Sequence, residues 1–247
     1  MFLRGLFMIS VICLGVSSHA QVFDQIPEQE TFDIGFLGSS MGIAIPFGEF
    51  KRTDYQSLYA GYAEIGYQNQ IIDFSKKFSK HFAVGVDWHR SVFGFDEQAY
   101  IHPYEDFNRE YTFTIETEDN WVIHSALGNA VLNVPSKILD VDIRLGLGLG
   151  RVSRPKIQIT ANSIQTGYLA AYWAEDTETA YDLIVGAGAN FRFHVYRGID
   201  LFFSADYQRM NADLAIEIRD HFESVTEERD QNIEMLQLGA GVGFTLK

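Results

Sequence analysis

The chain has 247 residues, 47% of them hydrophobic and 14% aromatic, which excludes a disordered polymer and calls for a packed or membrane-embedded fold. Its 33 acidic residues against 19 basic ones give a net charge of −14, and no run of clustered basic residues offsets it, so nucleic acid is not expected as a partner. With 20 Phe, 12 Tyr and 21 Gly against only 5 Pro, the composition leans toward strands separated by polar turns.

The first 20 residues combine Arg4, an apolar run over 5–16 and small residues at Ser18 and Ala20, the pattern of a secretory signal peptide cleaved after Ala20. The apolar run is 12 residues long, short of the roughly 20 that a helix needs to cross a bilayer. Cys13, the sole cysteine, offers a lipoprotein alternative, but bulky Ile12 precedes it. Its loss with the leader removes disulfides and thiol chemistry from the mature chain, whose charge becomes −15 once Arg4 is gone. Residues 21–30 are expected to form a short periplasmic segment, and 31–247 one barrel domain.

Eight strands are expected at 31–48, 58–74, 80–93, 120–134, 138–154, 179–196, 199–211 and 232–247. The fifth alternates without exception, Leu139, Val141, Ile143, Leu145, Leu147 and Leu149 against Asp140, Asp142, Arg144, Gly146, Gly148 and Gly150. The sixth does the same from Asp182 to Val195, interrupted by Ile184 on its polar face, and the last runs from Leu236 to Leu246 opposite Gly239, Gly241 and Gly243. The phase of the fourth is the least defined. Strands of this length, bulky and apolar on one face and small or charged on the other, fit membrane-spanning strands of about 9–11 residues with extensions.

Short connections at 75–79, 135–137 and 197–198 alternate with long ones at 94–119, 155–178 and 212–231. That asymmetry belongs to outer-membrane barrels, whose short turns face the periplasm. The rival is a secreted lipocalin-like barrel with its apolar side chains pointing inward. Small glycines on the polar face suit a crowded lumen and large Leu and Phe an open lipid surface, which favours the membrane barrel. Trp88, Trp121, Tyr67, Tyr196 and Tyr207 are candidates for interfacial aromatic girdles.

The segment from Ile45 to Phe50 (I-P-F-G-E-F) followed by Gly61 to Tyr67 (G-Y-A-E-I-G-Y) resembles the first hairpin of the small outer-membrane β-barrel family of OmpX/OmpA-like proteins. Leu127-Gly128-Asn129 before Pro135 and the glycine-alternating last strand extend the similarity over nearly all of 32–247. The resemblance implies an all-β, eight-stranded, antiparallel up-and-down transmembrane barrel with long extracellular loops, and no particular activity. The ending Phe244-Thr245-Leu246-Lys247 departs from the terminal aromatic usual in that family.

An eight-stranded barrel has a lumen just wide enough for side chains to fill. Asp87, His89, Asp140, Asp142, Arg144, Asp182, Arg192, His194, Asp200 and Asp206, with Glu64, are therefore expected to point inward as a structural network of ion pairs and hydrogen bonds, because buried charges must be paired. A cation pathway or small-solute pore is the alternative, favoured by the excess of carboxylates. A lipid-modifying outer-membrane hydrolase is another, with His124-Ser125 or Asp87 and His89 as its residues, although neighbours on a strand point to opposite faces. No residue is assigned a catalytic role. The histidines have no metal-binding spacing, so neither metal nor cofactor is expected. Alternating segments in the long connections, Tyr111 to Thr117, Lys156 to Thr160 and Leu214 to Ile218, are expected to carry the wall outward as a protruding sheet. Its edges and acidic tips would engage an extracellular protein or, through divalent cations, lipopolysaccharide and outer-membrane lipid. A monomer is expected.

Overall fold

The computed structural model describes residues 34–53, 60–177, 179–220 and 222–246, all within one compact unit. The expected signal peptide and periplasmic segment over 1–30 lie outside the described residues.

Eleven strands and two helices follow one another among the described residues. They are β1 (Gly35–Phe47), α1 (Gly48–Lys51), β2 (Gly66–Lys77), β3 (Phe82–Phe93), α2 (Glu97–Phe107), β4 (Tyr111–Glu118) and β5 (Trp121–Val134), then β6 (Leu139–Ser153), β7 (Lys156–Ser163), β8 (Leu169–Thr177), β9 (Ala180–Tyr196), β10 (Ile199–Arg219) and β11 (Ser224–Leu246). Eight of them, in the order β1-β2-β3-β5-β6-β9-β10-β11, form a ring that closes where β11 pairs with β1 from Gly35↔Leu246 to Phe47↔Glu234. Every pairing is antiparallel, so no edge is left along the ring. The fold is the transmembrane type of up-and-down β-barrel that the alternation predicts.

The polarity of the wall is inverted relative to a soluble barrel. On β6, Leu145, Leu147 and Leu149 are 65, 60 and 64% exposed, whereas Asp140, Asp142 and Arg144 on the opposite face are buried. Met41, Val86, Leu183 and Phe203 extend the apolar exterior around the ring. Such a belt in water would expose far more contiguous apolar surface than a soluble monomer carries, and this overturns the lipocalin-like arrangement of inward apolar side chains.

The register also shows how steeply the strands slant. Starting from Met41, the cross-strand neighbours are Asn69, Arg90, His124 and Arg151 in one direction, and Ala240, Phe203, Phe191 and Val141 in the other. Both paths reach β6, at positions 151 and 141, so the stagger around the ring is ten residues and a cross-strand row climbs toward the long loops from β1 to β6.

Above the belt the wall does not stop. β4, β7 and β8 carry on the paths of β5, β6 and β9 after breaks at Asp119, Pro155 and Thr179, and they assemble in the order β4-β7-β8 onto the outer end of β10, where Ala174–Thr177 pairs with Ile216–Arg219. The β10–β11 ladder runs unbroken to Arg219↔Ser224, eight residues past the expected end of the seventh strand at 211. The protruding sheet expected from the alternating loop segments is therefore present, with β4 at one end of it, unpaired on its far side among the described residues.

Three expectations fail locally. The second strand begins at Gly66 and not at 58. Residues 60–65 instead fold over the mouth, with Tyr62 in the left-handed region (φ 50°) and Ala63 bridging to Phe95. Residues 97–107 form α2, which strand periodicity did not reveal. Asp96 caps it by accepting from the Ala99 amide at 2.9 Å, and Glu97 stabilises its first turn. Pro103, a helix breaker by its missing N–H, lies inside α2. Trp121 is not interfacial: it faces inward, 1% exposed, and donates Nε1–H to the Gly61 carbonyl at 3.0 Å. Trp88, Tyr67, Tyr196 and Tyr207 do face outward.

Candidate functional site

Two of the expected interior residues each gather a set of carboxylates. At mid-height, Arg144 on β6 contacts Asp206 on β10 at 2.6 Å, Asp73 on β2 at 3.0 Å and Asp87 on β3 at 3.2 Å, so one guanidinium ties four strands together. Asn190 donates to the same Asp73 oxygen at 2.6 Å, and His89 lies 3.9 Å from Asp87. Toward the short turns, Arg192 on β9 contacts Asp142 at 2.6 Å, Asp140 at 3.2 Å and Asp200 at 3.6 Å. Its guanidinium also sits 4.7 Å over the Phe36 ring. His194 bridges Asp200 at 2.7 Å and Asp140 at 3.3 Å, and Lys77 lies 3.8 Å from Asp140.

Charge of this density in a narrow lumen is retained only because nearly every member touches an opposite charge or a donor. Glycines make the room. A Cβ on Gly188 would fall 1.9 Å from an Asp206 oxygen, and one on Gly243 would fall 2.2 Å from the Phe36 ring. The space left beside Arg144, Asp87, His89 and Asp206 is about 10 Å³, enough for one water and not for a solute to pass.

Two expected members stand apart. Asp182 faces inward but lies near the outer end of β9, opposite Gly150, only partly buried, and its carboxylate accepts from the Leu183 amide at 2.5 Å without joining either arginine. Glu64 precedes β2 and is exposed above the wall. Asp73, which the sequence reasoning did not single out, belongs to the Arg144 cluster. The bulge between Gln70 and Ile72 shifts the phase of β2 and turns Asp73 inward, so alternation carried from Gln68 and Gln70 places it on the wrong face.

The lumen is not polar throughout. Above a neutral layer, in which Ser125 donates to Gln208 at 2.9 Å and Gln237 to Ser91 at 2.8 Å, the inward positions become apolar: Phe93, Ile123, Val152, Ile184, Met210, Ile233 and Met235. Ile184, the interruption in β9, is 0% exposed because it belongs to this plug. Phe50 from the P-x-G-x-F segment caps it, edge-on to Phe93 at 5.1 Å and Trp121 at 5.3 Å.

A second buried cluster fastens α2 over the plug. Tyr100 donates its hydroxyl to Glu175 on β8 at 2.5 Å, and Arg154 approaches the other Glu175 oxygen at 2.8 Å, an ion contact without good hydrogen-bond alignment. Tyr100 packs on Tyr62 at 5.0 Å and Phe95 at 5.3 Å. Burial raises the Glu175 carboxyl, but the Arg154 charge and the hydrogen bond from Tyr100 outweigh it and hold the group below its ordinary value of 4.5. Burial and the Glu175 charge push the Tyr100 phenol well up, so it stays a donor.

A depressed carboxyl stabilises the folded cap fully above its unfolded value and loses that contribution as pH falls through the folded value. Hydrogen exchange of the 97–107 amides, corrected for intrinsic rate, should therefore accelerate between pH 6 and pH 3.5. In Glu175→Gln it should already be fast at pH 6 and change little on acidification; an equal pH response in both proteins would refute the clamp.

His124 and Ser125 occupy opposite faces. Ser125 is buried in the lumen, while His124 faces outward between Arg90 and Arg151, with no carboxylate among its direct cross-strand neighbours to orient it.

Inverted polarity, a closed eight-stranded ring and a filled lumen define the class as a transmembrane β-barrel. No protein-family model matches the chain, and no curated protein does. Among solved structures, it is similar to neisserial surface protein A (12% identity over 86% of this chain and 97% of that one, TM-score 0.46). It is also similar to the attachment invasion locus protein Ail of Yersinia pestis (15% identity, 85% and 99%, TM-score 0.40) and to the outer membrane protease OmpT of Escherichia coli (8% identity, 87% and 95%, TM-score 0.41). The likeness concerns the fold.

Proposed function

We propose that this protein is an exported, monomeric outer-membrane barrel, its leader removed after Ala20, that acts in envelope structure and surface interaction through the sheet above its belt. The observation that carries this reading is the continuation of five strands, β4-β7-β8-β10-β11, past the apolar exterior into a sheet whose β4 edge is unpaired among the described residues. Its hairpin tips expose Ile164, Tyr168 and Leu169 in one case and Phe222 in the other. Large apolar groups at such positions fit a protein partner better than they fit water. β4 is able to accept an added strand, with Tyr111, Thr112 and Thr114 exposed.

In this reading the Arg144 and Arg192 clusters are structural. They tie strands together, and no catalytic residue, metal or cofactor is assigned. The space for one water beside Arg144 speaks against a resting pore.

Cold and boiled samples in SDS test the barrel: the detergent-extracted protein should migrate differently before and after heating. Thr112→Lys/Thr114→Lys tests the edge, since charge on an edge strand opposes strand addition. Cells displaying the variant should lose at least half of the surface attachment conferred by the parent at equal surface amount. Undiminished attachment would remove the edge from the reading.

A further inference from the structure

Among the described residues, a row of basic groups interrupts the apolar exterior on β3, β5 and β6. Arg90 on β3, His124 on β5 and Arg151 on β6 are direct cross-strand partners, Arg90↔His124 and His124↔Arg151, all on the outward face. Neither arginine makes an ion pair among the described residues, in contrast to Arg209 on the same exterior, which lies 3.6 Å from Glu234. Like charges placed side by side across a ladder are destabilising, and here two guanidiniums flank an imidazole across three strands, about 10 Å from first to last at the usual strand spacing. Two arginine side chains at that distance reach a common anion held over the imidazole.

The row lies where the belt ends. Trp88, Ala126 and Leu149 follow directly below Arg90, His124 and Arg151 on the same faces. With strands tilted by about 40°, the row climbs about 3 Å per strand, so its three members span only about 6 Å of depth at the rim of the belt nearest the long loops.

A second, independent feature continues downward from His124. The outward residues of β5 are Ala126, Gly128 and Ala130, while their partners are large: Trp88, Val86 and Val84 on β3, and Leu149, Leu147 and Leu145 on β6. A trough with an apolar floor of small residues therefore runs between two ridges, headed by the basic row. At Gly128 a Cβ would meet only the Leu147 carbonyl, at 3.8 Å, so the trough is open there.

We propose that Arg90, His124 and Arg151 with the β5 trough form a binding site for a phosphate-bearing lipid of the outer leaflet, its phosphate on the two guanidiniums and one acyl chain over Ala126, Gly128 and Ala130. The proposal rests on the outer-membrane reading above. It gives the positive row its counter-charge and the trough its occupant, and it requires no chemistry on the lipid.

The test uses the folded full-length mature barrel in neutral detergent, with bisphosphoryl lipid A and its dephosphorylated form as probes. Binding is followed by native mass spectrometry and by quenching of Trp88 with brominated acyl chains. Trp88 is the belt-facing tryptophan, whereas Trp121 is buried in the lumen and Trp173 lies in the outer sheet. The parent should retain the phosphorylated lipid at least tenfold more tightly than the dephosphorylated one. Arg90→Gln/Arg151→Gln should lose that preference, about tenfold for each charge-assisted contact removed. Gly128→Leu should weaken both lipids while keeping the heat-dependent gel shift, and Arg209→Gln should behave as the parent.

Equal retention of the two lipids, unchanged affinity in the double variant, or displacement of the lipid by millimolar inorganic phosphate alone would overturn the site. A protein with no gel shift would overturn the membrane barrel itself, a failure that the shift distinguishes from failure of the site.

Discussion

Replacing Arg144 by methionine is expected to cost about 3–5 kcal/mol, enough to abolish most refolding into detergent. The cause is not the loss of one favourable contact. The substitution leaves Asp73, Asp87 and Asp206 buried around an apolar side chain, and removing one partner from a buried set leaves uncompensated charge. The folded fraction is read from the unheated gel band across a urea series. Adding Asp73→Asn and Asp206→Asn to Arg144→Met should recover most of the midpoint, because the amides carry no charge to strand. Arg144→Lys should fall between, since an ammonium has no planar fork with which to reach three carboxylates at once. A single variant with the parental midpoint would show that the cluster does not hold the strands.

Trp121→Ala is expected to cost a similar amount, about 3–5 kcal/mol, by a different route and with a different footprint. The indole is buried against Phe50 at 5.3 Å and holds the Gly61 carbonyl. Alanine opens a cavity at the plug and leaves that carbonyl without its donor. The wall below is closed by ladder hydrogen bonds that do not involve this side chain, so the damage should stay in the cap. Hydrogen exchange should rise over 60–64 and 97–107 while the amides of β6 and β9 stay protected. Uniform acceleration around the ring would mean that the plug supports the whole barrel and not only its mouth.

These two variants probe the middle and the outer end of the lumen, which the sequence read as uniformly polar. The division is visible in retrospect. Ile184, Met210 and Trp121 occupy inward positions by simple alternation, but an apolar residue on a polar face reads as an exception until its neighbours around the ring are known. Asp73 was hidden for the opposite reason: a bulge at Gln70–Ile72 reverses the phase of its strand, and a bulge leaves little trace in periodicity. Helix α2 carries its signals at Asp96 and Glu97, within a long connection where strand alternation says nothing about helices.

The wall itself was written locally. Alternation at period two depends only on a residue's immediate neighbours, so the positions of Leu139 to Leu149, the short turns and the count of eight ring strands followed from the chain alone. Which charges meet depends on register and stagger, properties of the closed ring. Arg144 finds Asp73, Asp87 and Asp206 on three other strands, and Arg90, His124 and Arg151 form one row because the β3–β5 and β5–β6 registers set them directly opposite one another. Ring closure is a long-range constraint with no local signature, and for that reason the partners of each charge were decided by the tertiary structure.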